Sequence, residues 1–118
     1  MSLRVWAYQD CGTCRKALKL LAERNVAYQM ISIREKPPGI SDLRVMLAHV
    51  GGDLSRLFNT SGGDYRAMNM KERLPRMSVD EALSLLSAHG NLVKRPFALG
   101  EHRGAVGFKP EEWTRLFG

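Results

Sequence analysis

The chain contains two cysteines, and they stand together in the turn-like segment Cys11-Gly12-Thr13-Cys14. A C-x-x-C pair can do redox chemistry when one sulfur is held as a thiolate and the other is close enough to displace it. The segment falls where an apolar, strand-like run ends and a helical pattern begins. Unpaired backbone N–H groups and the positive end of the helix dipole gather at a helix start. A thiolate placed there has its pKa lowered below the free value of about 8.5. Cys11 precedes the helix and is the candidate nucleophile. Cys14, in the first turn, is placed to attack a mixed disulfide at Cys11. Gly12 allows a tight turn, Thr13 can cap the helix, and Arg15 and Lys16 add positive charge. In a cytosolic protein a C-x-x-C beside a βαβ pattern is a redox signature.

Two other readings of the pair remain open. One is half of a zinc site, but structural zinc usually takes four ligands. His49, His89 and His102 lie in separate segments without paired spacing. The other is two inert thiols packed in a core. The turn location, between Asp10 and Arg15, argues for exposure instead. A second candidate group is Lys94-Arg95-Pro96. From the residues alone, Pro96 is a strand-edge proline and Arg95 a solvated charge.

The elements that would hold these residues can be traced along the chain. Leu3–Tyr8 suggests a strand. Arg15–Arg24 carries Ala17, Leu18, Leu21 and Ala22 at helical spacing, and Asn25 is a stop. Val26–Ile33 suggests a second strand. Strand, helix, strand most simply packs as a parallel βαβ unit. After the break at Glu35–Gly39, Ser41 can cap a helix whose Leu43, Met46, Leu47 and Val50 share a face. Leu54–Phe58 is a short piece, Asn59–Gly63 a loop, and Tyr65–Met70 a short helix. Ser78 and Glu81 form a capping box before a helix with Val79, Ala82, Leu83 and Leu86 on its apolar face, ended by Gly90. Phe97–Leu99 and Ala105–Phe108 suggest a hairpin around Gly100–Gly104. Pro110 opens a last helix with Trp113, Leu116 and Phe117 as its buried stripe. Met30, Met46, Met68, Met70 and Met77 fit core filling.

Length and composition bound the rest. The chain has 118 residues, 44% hydrophobic and 25% charged, which suits one soluble globular domain spanning 1–118. No stretch approaches the roughly 18 apolar residues of a membrane helix. The N-terminal residues lack a signal-peptide pattern, so a cytoplasmic location is expected. The net charge is +6, from 18 Lys and Arg against 12 Asp and Glu. Those charges are scattered rather than blocked, which argues against direct nucleic-acid binding and for a role in solubility and a small anionic site. No Walker motif is present.

The sequence resembles the ArsC/Spx family, the arsenate reductase-like branch of the thioredoxin superfamily. The residues that carry the resemblance are Tyr8–Ala17, Leu57–Tyr65, Ser78–Leu86, Asn91–Phe97 and Val106–Pro110. It implies an α/β, thioredoxin-like fold with a helical insertion at about 40–90, between the β-α-β and β-β-α parts. It also implies that Cys11 is the nucleophile, Cys14 the resolving thiol, and the Arg95–Pro96 bond cis. In glutaredoxin-coupled arsenate reductases three arginines hold the oxyanion. Arg95 matches the middle one, Lys109 stands for the third and Asn59 for the first. Lysine lacks the bidentate fork of arginine. Arg95 and Lys109, with Thr13 and Arg15, are the expected anion-binding residues.

Two functions follow from the resemblance. The first is a thiol-based oxidoreductase with no tightly bound cofactor or metal, using glutathione as co-substrate and glutaredoxin or thioredoxin as reductant. The second is an Spx-like redox-sensing regulator that binds the RNA polymerase α subunit. A structural domain with spent chemistry is a third possibility.

Overall fold

A computed structural model of the chain describes residues 3–118. Strand β1 (Leu3–Ala7) leads into helix α1 (Gly12–Glu23), which returns to strand β2 (Tyr28–Ser32). β2 lies parallel to β1, with Leu3 opposite Tyr28 and Ala7 opposite Ser32. Helices α2 (Ile40–His49), α3 (Gly63–Ala67), α4 (Met70–Arg73) and α5 (Val79–Ala88) follow, with 3-10 turns at Leu54–Leu57, Leu74–Arg76 and Gly90–Leu92. The chain then forms the antiparallel hairpin β3 (Phe97–Leu99) and β4 (Gly104–Val106), and ends in α6 (Pro110–Phe117). β3 runs antiparallel to β1, so the sheet order is β2-β1-β3-β4. This is the thioredoxin-like α/β arrangement with helices inserted between its two halves.

Side-chain alternation explains why the sheet is covered on both faces. Leu3, Val5 and Ala7 of β1, with Ala98 and Ala105, pack against α1 and α6 through Ala17, Leu21, Trp113 and Phe117. The opposite set, Trp6, Phe97, Leu99 and Val106, meets Leu43, Met46, Leu83 and Leu86 of the inserted helices. Successive strand residues point to opposite faces, so one short strand feeds two cores. Trp6 meets Phe97 edge to face at 5.3 Å.

Several local expectations are corrected. α1 starts at Gly12 rather than Arg15, and its N-cap is Cys11, not Thr13. The N-cap of α2 is Gly39, not Ser41, and the Asp42 carboxylate accepts from the Gly39 amide. The helix expected at Tyr65–Met70 is broken at Asn69, whose φ of 54° is left-handed, so α3 and α4 are separate. β2 and β4 are shorter than expected. Ala22, Val79 and Met30 are exposed rather than core residues. The Ser78–Glu81 capping box is present in both directions, at 3.1 and 2.9 Å. Asn25 closes α1 with φ 56°. Gly90 follows α5 and is there for a different reason as well: a Cβ on it would collide with the Ile33 carbonyl. Among the described residues, no helix is long and apolar enough to cross a membrane.

Candidate functional site

Cys11 sits at the junction of β1 and α1, in extended backbone with φ −88° and ψ 117°. That conformation turns its side chain onto the helix it precedes. The Cys14 amide donates to Cys11 Sγ at 3.4 Å, so the sulfur takes the place usually held by a Ser or Asp cap oxygen. Partial burial pushes the Cys11 thiol up, but the amides of Cys14 and Thr13, the Cys14 side chain and the Arg95 charge outweigh it. The net movement is below the ordinary thiol value.

Cys14 behaves in the opposite way. It is fully buried in the cluster that also holds Val5, Ala17 and Trp113, on the α1–α6 face, which corrects the expectation of exposure for both thiols. Burial pushes it up to about 12, and the Cys11 hydrogen bond and charge add to this, against the Tyr8 amide and Arg95. One helical turn therefore holds an acidic, half-buried thiol beside a buried one that keeps its proton. Both are free thiols.

A groove of about 390 Å³ opens beside this turn, lined by Thr13, Arg56, Lys94, Arg95, Phe108 and Lys109 among others. Three segments are tied together to make it. The 54–60 segment lies against 92–94: Asn59 donates to the Leu92 carbonyl at 2.7 Å, and Lys94 to the Leu57 carbonyl at 2.8 Å. The 106–109 segment is held by the Gly107 amide on the Pro96 carbonyl at 2.8 Å and by Trp113 Nε1 on the Gly107 carbonyl at 2.9 Å. Gly107 has φ 72°, and a Cβ there would crowd the Lys94 stem. The Arg95–Pro96 peptide is cis.

Arg95 joins the groove to the thiol. It lines the groove, its charge acts on Cys11, and its guanidinium lies 5.7 Å from the Tyr8 ring centre. Its Nη1 is buried and makes no hydrogen bond among the described residues. Arg34 stacks on the same Tyr8 ring at 3.8 Å, and the Tyr8 hydroxyl donates to Asp10 at 3.0 Å.

Of the residues singled out in the sequence, Thr13, Arg95 and Lys109 share the groove. Arg15 does not. It is exposed on α1 and is not among the charges acting on Cys11. Asn59 also stays out, its side chain against Gly62. Lys94, named in the sequence with Arg95 and Pro96 but given no role of its own, also lines the groove, and Arg56 was missed. Arg56 lies in a 3-10 turn of the insertion whose approach to β3 is a long-range contact. The three histidines are exposed, and no group of three metal-ligating side chains gathers among the described residues.

The arrangement can form a sulfur anion, exchange it with an attacking or attacked sulfur, and hold negative charge next to it. Comparison with known proteins gives a consistent picture. The ArsC family model matches residues 6–116. The chain is 44% identical over 113 residues to an uncharacterized protein of Bacillus subtilis, YusI, covering 96% of each. It is 26% identical over 114 residues to the global transcriptional regulator Spx of Enterococcus faecalis, covering 97% of this chain and 85% of the regulator. Among solved structures, an ArsC family related protein from Bacteroides fragilis superposes with a TM-score of 0.89 at 37% identity, over 98% of both chains.

Proposed function

The chain belongs to the ArsC family, and on that footing we propose that it is a thiol–disulfide oxidoreductase that works through Cys11 and Cys14. The observation that carries this is the Cys14 amide on Cys11 Sγ, with one thiol made acidic and its neighbour held protonated. In the first step the Cys11 thiolate attacks one sulfur of a disulfide. The substrate S–S bond breaks, a mixed disulfide forms at Cys11, and the departing thiolate takes a proton from solvent. Cys14 then attacks Cys11 Sγ. The Cys11–Cys14 bond forms, the second substrate thiolate leaves, and it takes the proton that Cys14 gives up. The substrate gains two electrons and the protein loses them. A small thiol such as glutathione, with glutaredoxin, or a dithiol protein such as thioredoxin restores the reduced pair.

Arg95 and Lys109 orient an anionic group on the substrate, with Thr13 beside them. Arsenate is the weaker fit. Asn59 lies outside the groove, and Lys109 offers a point charge rather than a fork. The deciding assay sets a generic disulfide against arsenate with glutathione and glutaredoxin, using Cys11→Ser and Cys14→Ser as controls. Disulfide reduction should vanish in Cys11→Ser and stop at a trapped mixed disulfide in Cys14→Ser. Reduction that survives Cys11→Ser would overturn the assignment.

The likeness to Spx favours a second role for the same pair, a redox switch that controls binding to the RNA polymerase α subunit. Its test is retention of the α subunit by oxidised and reduced protein. Redox-dependent retention supports the switch, and equal retention or none removes it.

A further inference from the structure

The groove beside the Cys11–Cys14 turn carries more positive charge than one compact anion uses. Arg56, Lys94, Arg95 and Lys109 line it, and no aspartate or glutamate does among the described residues. The four cations come from three separate segments: the 3-10 turn at Leu54–Leu57, the approach to β3, and the N-cap of α6. Two are lysines, which act as point charges and suit separate carboxylates better than one planar group. Phe58, Val106 and Phe108 give the same groove an apolar floor. Ser55 is shared with a second, more apolar hollow of about 420 Å³, lined by Leu54, Tyr65, Leu74 and Met77 with one acid, Asp53, and one further cation, Lys71. The surface next to the thiol thus continues over the inserted helices. Such a track fits an extended polypeptide, at about 3.3 Å per residue, better than a free ion.

Resting on the oxidoreductase assignment, we infer that the groove selects disulfides whose cysteine lies in an acidic stretch of polypeptide, with Arg56 and Lys94 reading the carboxylates that flank it. Each carboxylate neutralised in the groove adds attraction that salt weakens. The unpartnered Arg95 Nη1 takes the acceptor nearest the sulfur. Electron flow is that of the exchange above. The acidic peptide's disulfide is reduced, and the Cys11–Cys14 pair is oxidised and then restored by a thiol reductant.

The experiment follows the rate at which reduced protein attacks peptides of equal length. Each peptide holds one central cysteine bonded to the same chromophoric thiol, flanked by Asp and Glu, by Ser and Gly, or by Lys. Glutathione bonded to that thiol is the small-anion control. At low salt the acidic peptide should react roughly tenfold faster than the neutral one, a difference of about 1.4 kcal/mol. The lysine peptide should be slowest, and high salt should compress the series. Arg56→Ser and Lys94→Ser should each narrow the acidic-over-neutral ratio by severalfold. Arg56 is exposed, so its replacement leaves the core intact. Equal rates for acidic and neutral peptides, a ratio untouched by both variants, or a preference for the glutathione derivative over every peptide would overturn the selectivity. No attack on any disulfide would instead bring down the oxidoreductase assignment itself.

Discussion

The Cys14 amide lies 3.4 Å from Cys11 Sγ and points its hydrogen at it. Cys11 is thereby both the N-cap of α1 and the thiol whose pKa that contact lowers. A cap residue accepts a hydrogen bond from the first turn, and a sulfur does so best as an anion. Local helix formation and thiol activation therefore share one contact, and removing the helix start would remove the activated sulfur.

Arg95 contributes charge to Cys11 and a fork to the groove, and the two roles can be separated. Arg95→Gln should raise the Cys11 pKa and slow attack on a neutral disulfide by roughly fivefold, about 1 kcal/mol. Arg95→Lys should restore the thiol acidity while leaving the Michaelis constant for an anionic disulfide elevated. Thiol titration and steady-state kinetics on the two variants give the comparison. Identical behaviour of both would assign Arg95 a purely structural part.

Cys14 sets a pH limit on the reduced protein. Its folded pKa, at about 12, lies above that of an unfolded thiol. The folded state therefore holds more protons than the unfolded state once the pH passes the unfolded value. Stability falls as pH rises, by about 1.4 kcal/mol per pH unit above roughly pH 9, and the loss levels off near the folded value. Denaturant unfolding of wild type and Cys14→Ala across this range isolates the contribution. The advantage of wild type over the variant should shrink with rising pH. A constant difference would mean that Cys14 ionises as readily in the fold as out of it.

Gly90 has its place because the chain passes over Ile33 there. Gly90→Ala puts a methyl group into the Ile33 carbonyl, which is backbone and cannot swing aside. A loss of about 3 kcal/mol is expected, read as a lower denaturation midpoint with unchanged slope. Gly12→Ala, where a Cβ meets nothing within 4 Å, is the control and should unfold close to wild type.

What could be seen in the sequence follows from the range of the forces involved. The β-α-β start, the capping box of Ser78 and Glu81 and the Pro110 helix are local patterns, and each appears where its pattern lies. The cysteine pair was visible for the same reason. The fate of Cys14 was not: it is buried in a cluster that Trp113 and Phe117 of the last helix complete, far away in sequence. Val79 and Ala22 fit a helical period yet face solvent, because periodicity marks a face without saying whether a partner covers its edge. Arg56 enters the groove only through the pairing of Phe58 with Val93, which no local signal encodes. The resemblance sets Asn59 where related reductases have their first arginine, and its side chain lies against Gly62.

The sharpest test is a titration of Cys11 in a Cys14→Ser protein, which keeps a hydroxyl donor beside the sulfur and removes the second thiol. Thiolate absorbance against pH, with the alkylation rate as a second readout, should give a pKa below the free value of about 8.5. A pKa at or above that value would contradict a sulfur anion held by the start of α1.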